Sequence, residues 1–368
     1  MSTQQTVLVL QGGGALGAYQ AGAYEGLVKH GITVDWVVGT SIGAINGAII
    51  AGNPPAQRVE KLNAFWTLVA RDAPTLFPFF NTEDWLRPWR NATRVWDTLT
   101  KGIPGFFAPR DYGSWNLNQD ASITQSSFYD TSPLQQTLNA LVDFKYLNAK
   151  HVRFTVSAVN VATGELETFN NHTHRITAQH IMASGALPPG FPPVKIGKAL
   201  YWDGGIYSNT PIDIVLDDAE RRDTLCFMID LWDPTEKVPG SIADAITRQK
   251  DIQYASRTTE HLDDHKRMQN LRRAIRLLAE RLPAKDLKTP AIKRLAALGC
   301  NSTINIVRLI MKALPEDDQS KDIDFARATL DARWKAGAHD IDRTFAHKSW
   351  LTAPPPDVGM VVHELTQE

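Results

Sequence analysis

TVLVLQGGGALGAYQAGAYEGLVKHG (residues 6–31) and VDWVVGTSIGAINGAIIAG (residues 34–52) decide the fold, because the second repeats the grammar of the first. Each opens on a short apolar run, breaks at glycine, and resumes with apolar residues at helical spacing. An apolar run of that length bounded by glycine reads as a strand buried on both faces. The first helix closes on Lys29, His30 and Gly31, a cationic last turn before a glycine stop. Two successive strand–glycine–helix units predict an α/β fold with a mainly parallel sheet flanked by helices.

Further strands are expected at RFTVSAVNVAT (153–163), ALYWDGG (199–205) and TLCFMIDLW (224–232). Residues 65–115 break the pattern. Five of the ten tryptophans fall there (Trp66, Trp85, Trp89, Trp96, Trp115), with FPFF at 77–80, which suits a capping insertion or an irregular apolar surface. The Pro/Gly-bearing DPTEKVPGS (233–241) marks an expected boundary between a catalytic domain, 1–232, and a helical C-terminal extension, 233–368. Neither an internal repeat nor a low-complexity tract is present.

The bulk properties exclude several classes. Over 368 residues the chain is 43% hydrophobic and 21% charged, with a formal net charge of −1. No global field therefore argues for a nucleic-acid partner. Cys226 and Cys300 cannot build a disulfide framework, and Cys226 sits in an apolar run as a core residue, which favours a reducing compartment. MSTQQTVLVL has no basic n-region, and no stretch approaches the ~20 apolar residues of a membrane helix. The expectation is a cytoplasmic chain that touches membranes only peripherally. NHTH (171–174) offers two histidines and no third ligand at a recognised spacing, so no metal is expected.

The chemistry lies in three glycine-bearing turns. GTSIG, Gly39 to Gly43, matches G-x-S-x-G: a serine in a sharp strand-to-helix bend, where flanking glycines relieve crowding and the following helix favours negative charge. YWDGG carries Asp203 at a strand end before Gly204 and Gly205. Asp203 is either a turn residue or a base, whose pKa burial would raise towards usefulness. Gly12, Gly13 and Gly14 offer backbone donors with no side chain in the way, each donor being worth about 3–4 kcal/mol to an oxyanion. Gly12, Gly14 and Gly17 also satisfy G-x-G-x-x-G, but the acidic residue that a dinucleotide site needs, Asp35, begins its strand instead of ending it. An α/β-hydrolase triad fits poorly as well. His151, His172, His174 and His180 precede Asp203, while His261 and His265 lie in charged helical sequence; each reads as a surface or core histidine.

GGGALG, GTSIG and DGG, in this order and at these separations, resemble the patatin-like phospholipases, including bacterial members. The resemblance covers residues 6 to about 215, with ASGALPPGFPPV (183–194) before the aspartate and SNTPI (208–212) after it. It implies a three-layer sandwich and a serine acyl hydrolase acting on carboxylic esters of lipids. Ser41 would be the nucleophile, Asp203 the base and Gly12 to Gly14 the oxyanion loop, with no metal or organic cofactor. Two positions depart from the family pattern: Gln11 stands for its frequent Asp, and Leu16 for its frequent Arg or Lys, which removes a cation that an anionic headgroup would use. The same machinery also serves a thioesterase, an acyltransferase or a hydrolase of short polyesters, and a vestigial site would leave a non-catalytic membrane- or partner-binding module. KDIDFARATLDARWKAGAHD (321–340) resembles the C-terminal extension of some bacterial relatives, with no chemistry attached.

Two segments are candidates for peripheral membrane contact. One is the aromatic 65–115. The other is HKRMQNLRRAIRLLAERLP (265–283), where Met268, Leu271, Ile275, Leu278 and Leu282 recur at steps of three and four among basic residues. Such a stripe either lies on an anionic bilayer or packs onto its own domain.

Overall fold

Alternation along β1 (Gln5–Leu10) divides the interior in two: Leu8 and Leu10 enter the larger apolar cluster, Val7 and Val9 the smaller one on the opposite face, and all four are fully buried. A computed structural model gives the chain over residues 4–72, 87–111, 123, 126–236, 238–255, 258–315, 317–352 and 354–364. The remaining strands are β2 (Trp36–Gly39), β3 (Ala108–Pro109), β4 (Tyr129–Asp130), β5 (Arg153–Asn160), β6 (Leu166–Asn170), β7 (Val194–Ile196), β8 (Ala199–Asp203), β9 (Thr224–Asp230), β10 (Ile304–Ile310) and β11 (Met360–Glu364). Nine of the eleven strands form one sheet in the order β11-β10-β9-β1-β2-β5-β8-β7, with β6 also paired to β5, while β3 and β4 make a separate ribbon.

The sheet from β11 to β5 is parallel, and β6, β8 and β7 join antiparallel. Strand order reverses at β1: the chain steps outward through β2 and β5 on one side and through β9, β10 and β11 on the other. A crevice opens at the carboxyl edge of such a switch point, which is where α/β sheets bind ligands. Helices α1 (Gly17–Lys29) and α2 (Ile42–Ala51) follow β1 and β2 directly, and most of their side chains are buried against the larger cluster.

The C-terminal region is mainly helical, yet it does not stand apart. It adds β10 and β11 to the same sheet, so the sheet runs across the boundary expected at 232–233. Asn305 and Arg308 hid INIVRLI from an apolar-run reading; Arg308 is buried because its guanidinium is paired to buried Asp230 at 2.7 Å. The helix Arg327–Ala346 packs on α1 at backbone contact: a Cβ at Gly22 would lie 1.8 Å from the Trp334 carbonyl oxygen, and one at Gly337 2.0 Å from that of Tyr19.

The basic stripe falls in the helix Thr258–Glu280. It does not pack onto the domain, for Met268, Leu271 and Leu278 are about half or more exposed, and Leu262 and Gln269 fill the buried side instead. Within the aromatic segment Trp66 is buried in the core, whereas Trp96, on the helix Arg87–Lys101, is 69% exposed. FPFF, Trp85, Trp115 and the Trp89 side chain lie outside the described residues. Among the described residues no helix is long and apolar enough to cross a membrane.

Candidate active site

The serine bend follows from crowding. β2 ends at Gly39, the chain turns within two residues, and α2 begins at Ile42. A Cβ at Gly39 would lie 2.3 Å from the Gly43 carbonyl oxygen, and one at Gly43 2.3 Å from that of Leu10, so only glycine fits on either side. Ser41 itself is held at φ 55°, a left-handed conformation uncommon outside glycine. Its amide donates to the Ser184 hydroxyl at 3.0 Å, and the Thr40 and Ser157 hydroxyls share a 2.9 Å hydrogen bond beneath it. Gly17 lets α1 close on the bend, since a Cβ there would lie 2.5 Å from Ile42 Cγ1.

Sheet register brings the aspartate alongside. In the β2–β5 pair Gly39 faces Val156, and in the β5–β8 pair Asp203 faces Ala158. Asp203 is 3% exposed, its Oδ1 accepts the Gly205 amide at 2.7 Å, and it lines one cavity with Ser41, whose hydroxyl is near enough to act on the carboxylate. Burial pushes the Asp203 pKa up to about 7, against the pull of the Gly205 amide and the Ser41 hydroxyl. Gly204 brings the turn against β5: a Cβ there would lie 2.6 Å from the Ser157 carbonyl oxygen.

The three glycines after β1 do not share one role. The Gly12 amide donates to the Asn209 carbonyl at 3.1 Å, so it is not free for an oxyanion; this narrows the expectation of three donors. Its carbonyl accepts from Trp232 Nε1 at 2.8 Å and Asn209 Nδ2 at 3.1 Å. The amides of Gly13, Gly14 and Ile42 have no acceptor among the described residues, and all three residues line one cavity with Ser41 and Asp203. Gly14 takes φ 55°, and a Cβ on it would lie 2.2 Å from the Asp322 carbonyl oxygen.

Gln11, where the family pattern has Asp, is a fully buried junction. Its Oε1 accepts the amides of Leu231 and Trp232, and its Nε2 donates to Thr210 Oγ1 at 2.7 Å and to the Tyr254 carbonyl at 3.3 Å. A carboxylate could accept here but could not donate. Leu16 is buried in the apolar core and points no charge at the site.

The cavity, of about 300 Å³, is lined beyond Ser41 by Ile45, Phe106, Phe107, Tyr129, Phe191 and Phe325. Its described lining carries two aspartates, Asp203 and Asp322, and no Lys, Arg or His. None of the six histidines weighed from sequence reaches it. His180 caps its own helix through Thr177, His151 lies tilted against Tyr146 with ring centroids 4.4 Å apart, and His261 and His265 pair with Asp213 at 3.0 and 3.3 Å. His172 and His174 stand in the turn after β6, on the wall of a different cavity. Among the described residues no group of three or more His, Cys, Asp or Glu is placed to hold a metal ion. Sequence reasoning missed Asn209, Trp232, Tyr254 and Asp322. Asn209 lay within a motif already noticed, but nothing local distinguished the other three.

A family model described as patatin-like phospholipase matches residues 8–216, and a second, described as patatin phospholipase, matches residues 252–357. The chain is 23% identical over 254 residues to a lysophospholipase NTE1 of Debaryomyces hansenii, covering 67% of this chain and 13% of that protein. It is 48% identical over 59 residues to a patatin-like phospholipase domain-containing protein, ZK370.4, of Caenorhabditis elegans, covering 16% and 4%. The chain thus spans only a small part of the curated relatives it matches. Among solved structures it is similar to VipD from Legionella pneumophila, with a TM-score of 0.40 and 14% identity over 93% of this chain and 67% of that one. It is also similar to human GIVD cytosolic phospholipase A2, at 0.36 and 12% over 61% and 42%.

Proposed function

Because the chain belongs to the patatin-like phospholipase family, we propose that it is a serine acyl hydrolase cleaving carboxylic esters of lipids through a Ser41–Asp203 dyad. The observation that carries this reading is a strained serine and a buried carboxylate, its pKa raised by burial to about 7, lining one largely apolar cavity together. Ser41 Oγ attacks the acyl carbonyl while Asp203 takes its proton. The free amides of Gly13 and Gly14, joined by that of Ile42 at the positive end of α2, receive the negative oxygen of the tetrahedral intermediate. Asp203 returns the proton to the departing alcohol, then activates the water that releases the acyl group from Ser41.

The acyl chain lies along the aromatic wall from Ile45 to Phe325, and the absence of a cation in the described lining favours lipids whose leaving group is not a bare anion. No step needs a metal or organic cofactor. The chain meets its substrate as a peripheral visitor from the cytoplasm. Contact is made at the rim where Leu99 lines the cavity and Trp96, one turn back on the same helix, stands exposed. The basic stripe is placed badly for this. Its helix starts beside Thr210, runs roughly 33 Å, and passes Ser302 just ahead of β10, towards the amino edge of the sheet.

Covalent labelling with a fluorophosphonate probe and peptide mapping tests the proposal. Stoichiometric modification of Ser41, lost in Ser41→Ala together with ester turnover, is the expected result. An unlabelled wild-type chain, or label on another residue, would overturn it.

A further inference from the structure

Building on the reading of Gly13 and Gly14 as oxyanion donors, we propose that the segment Gln319–Phe325 is a clamp on the glycine loop, so that the C-terminal region completes the catalytic centre and does not merely append to it. The contact is direct. The Asp322 carbonyl oxygen accepts the Ala15 amide at 2.8 Å and lies against Gly14 so closely that no Cβ fits between them.

Two crossed ion pairs hold that carbonyl in place. The consecutive residues Lys250 and Asp251, in the helix Ile242–Ala255, meet a second Lys-Asp pair, Lys321 and Asp322, running the opposite way, so each lysine faces the other segment's aspartate. Lys250 pairs with Asp322 at 2.6 Å and Asp251 with Lys321 at 2.6 Å. The second pair is buried, with side chains 4% and 5% exposed. Lys250 Nζ also donates to the Gln319 carbonyl at 3.0 Å, tying down the start of the segment. Reciprocal pairing of this kind specifies one register, because a slip by one residue would set like charges together.

The same cations act on the other end of the loop. Lys250 and Lys321 lie 5.9 and 5.2 Å from the Trp232 ring centroid, and the indole Nε1 of Trp232 donates to the Gly12 carbonyl. The loop is thus gripped at Gly12 by Trp232 and Asn209, and at Ala15 by Asp322, with the two free amides between. Glycine-rich backbone has the most conformational freedom to lose, and donors that must reorganise during the reaction contribute little to it. A grip at both ends supplies the order that the glycines cannot.

The test uses the full chain with Lys321→Met, Lys250→Met and the swapped pair Lys321→Asp with Asp251→Lys. Kinetics on a p-nitrophenyl ester are compared with binding of two probes. One is a lipid trifluoromethyl ketone, which becomes a tetrahedral oxyanion on Ser41; the other is a non-hydrolysable ether lipid, which does not. In Lys321→Met, kcat is expected to fall about 10²-fold with KM within twofold. Ketone affinity should fall in parallel and ether affinity stay constant, while the swapped pair recovers at least tenfold of the loss. If Lys321→Met does not fold, Lys250→Met, whose pair is part-exposed, carries the same comparison, with faster deuterium exchange expected in the peptide 11–17. Unchanged kcat in a folded variant, or ketone and ether affinities falling together, overturns the clamp while leaving the hydrolase intact. A wild-type chain that neither turns over ester nor binds the ketone overturns both.

Discussion

Ser41 and Asp203 meet across β5 at one level of the sheet: Ser41 lies two residues beyond Gly39, which faces Val156, and Asp203 faces Ala158, two residues beyond Val156. The antiparallel course of β8 is what returns the aspartate to that level. With its pKa near 7, Asp203 is a base only when deprotonated. On the proposed mechanism, kcat/KM rises with pH through about 7 and then levels. Asp203→Asn should lower kcat by roughly 10²–10⁴-fold without loss of fold, while His180→Ala and His261→Ala keep most activity. A pH profile flat from 5 to 9 on a soluble ester would remove Asp203 from the role.

Stability should run the opposite way. The folded-state pKa of about 7 lies above the ordinary 3.8, so between these values the folded chain holds the proton more tightly than the unfolded one. The Asp203 contribution is therefore neutral below about pH 4 and grows destabilising as pH rises through 7, by up to about 4 kcal/mol. Asp203→Asn is expected to raise Tm at pH 8, with the gain vanishing near pH 4. Equal Tm differences at both pH values would show that the carboxylate is not desolvated.

Gly14→Ala places a methyl against the Asp322 carbonyl and forces a left-handed alanine. Turnover should drop about 10²–10³-fold, with ether-lipid binding retained, as for loss of an oxyanion donor. A KM effect without a kcat effect would contradict the assignment.

Trp96 lies one helical turn before Leu99, which lines the cavity, with most of its side chain in solvent. Trp96→Ser is expected to cut hydrolysis of vesicle-borne lipid several-fold, leaving a soluble short-chain ester unaffected. Vesicle co-sedimentation equal to wild type would exclude this rim as the contact.

The C-terminal helix leans on α1 through Gly22 and Gly337. Gly337→Val would drive side-chain atoms into the Tyr19 carbonyl and should cost about 3 kcal/mol of stability. Because the clamp segment immediately precedes that helix, soluble-ester activity should fall with it; an unchanged thermal midpoint would show that the two helices can part without loss.

Much of the site was legible because it is local. Strand, glycine and helix follow one another within each of the first two units, so Gly39, Ser41 and Gly43 carry their geometry in five consecutive residues, and Asp203 ends a recognisable strand. Gln11 was legible only as a departure; its double use as donor and acceptor appears once Thr210, Leu231 and Tyr254 are seen around it. The strand at 304–310 was hidden by Arg308, whose partner Asp230 is 78 residues away in the chain.

The sequence by itself determined the α/β architecture, the serine bend and the glycine loop, because backbone sterics and apolar periodicity act between near neighbours. Only the tertiary structure decided that Asp203 stands beside Ser41, that the Gly12 amide is already taken, and that residues near 250 and 320 grip the loop. Those outcomes depend on strand order and on ion pairs between segments some 70 residues apart, as in the 72 that separate Lys250 from Asp322. No local rule of sequence encodes such distances.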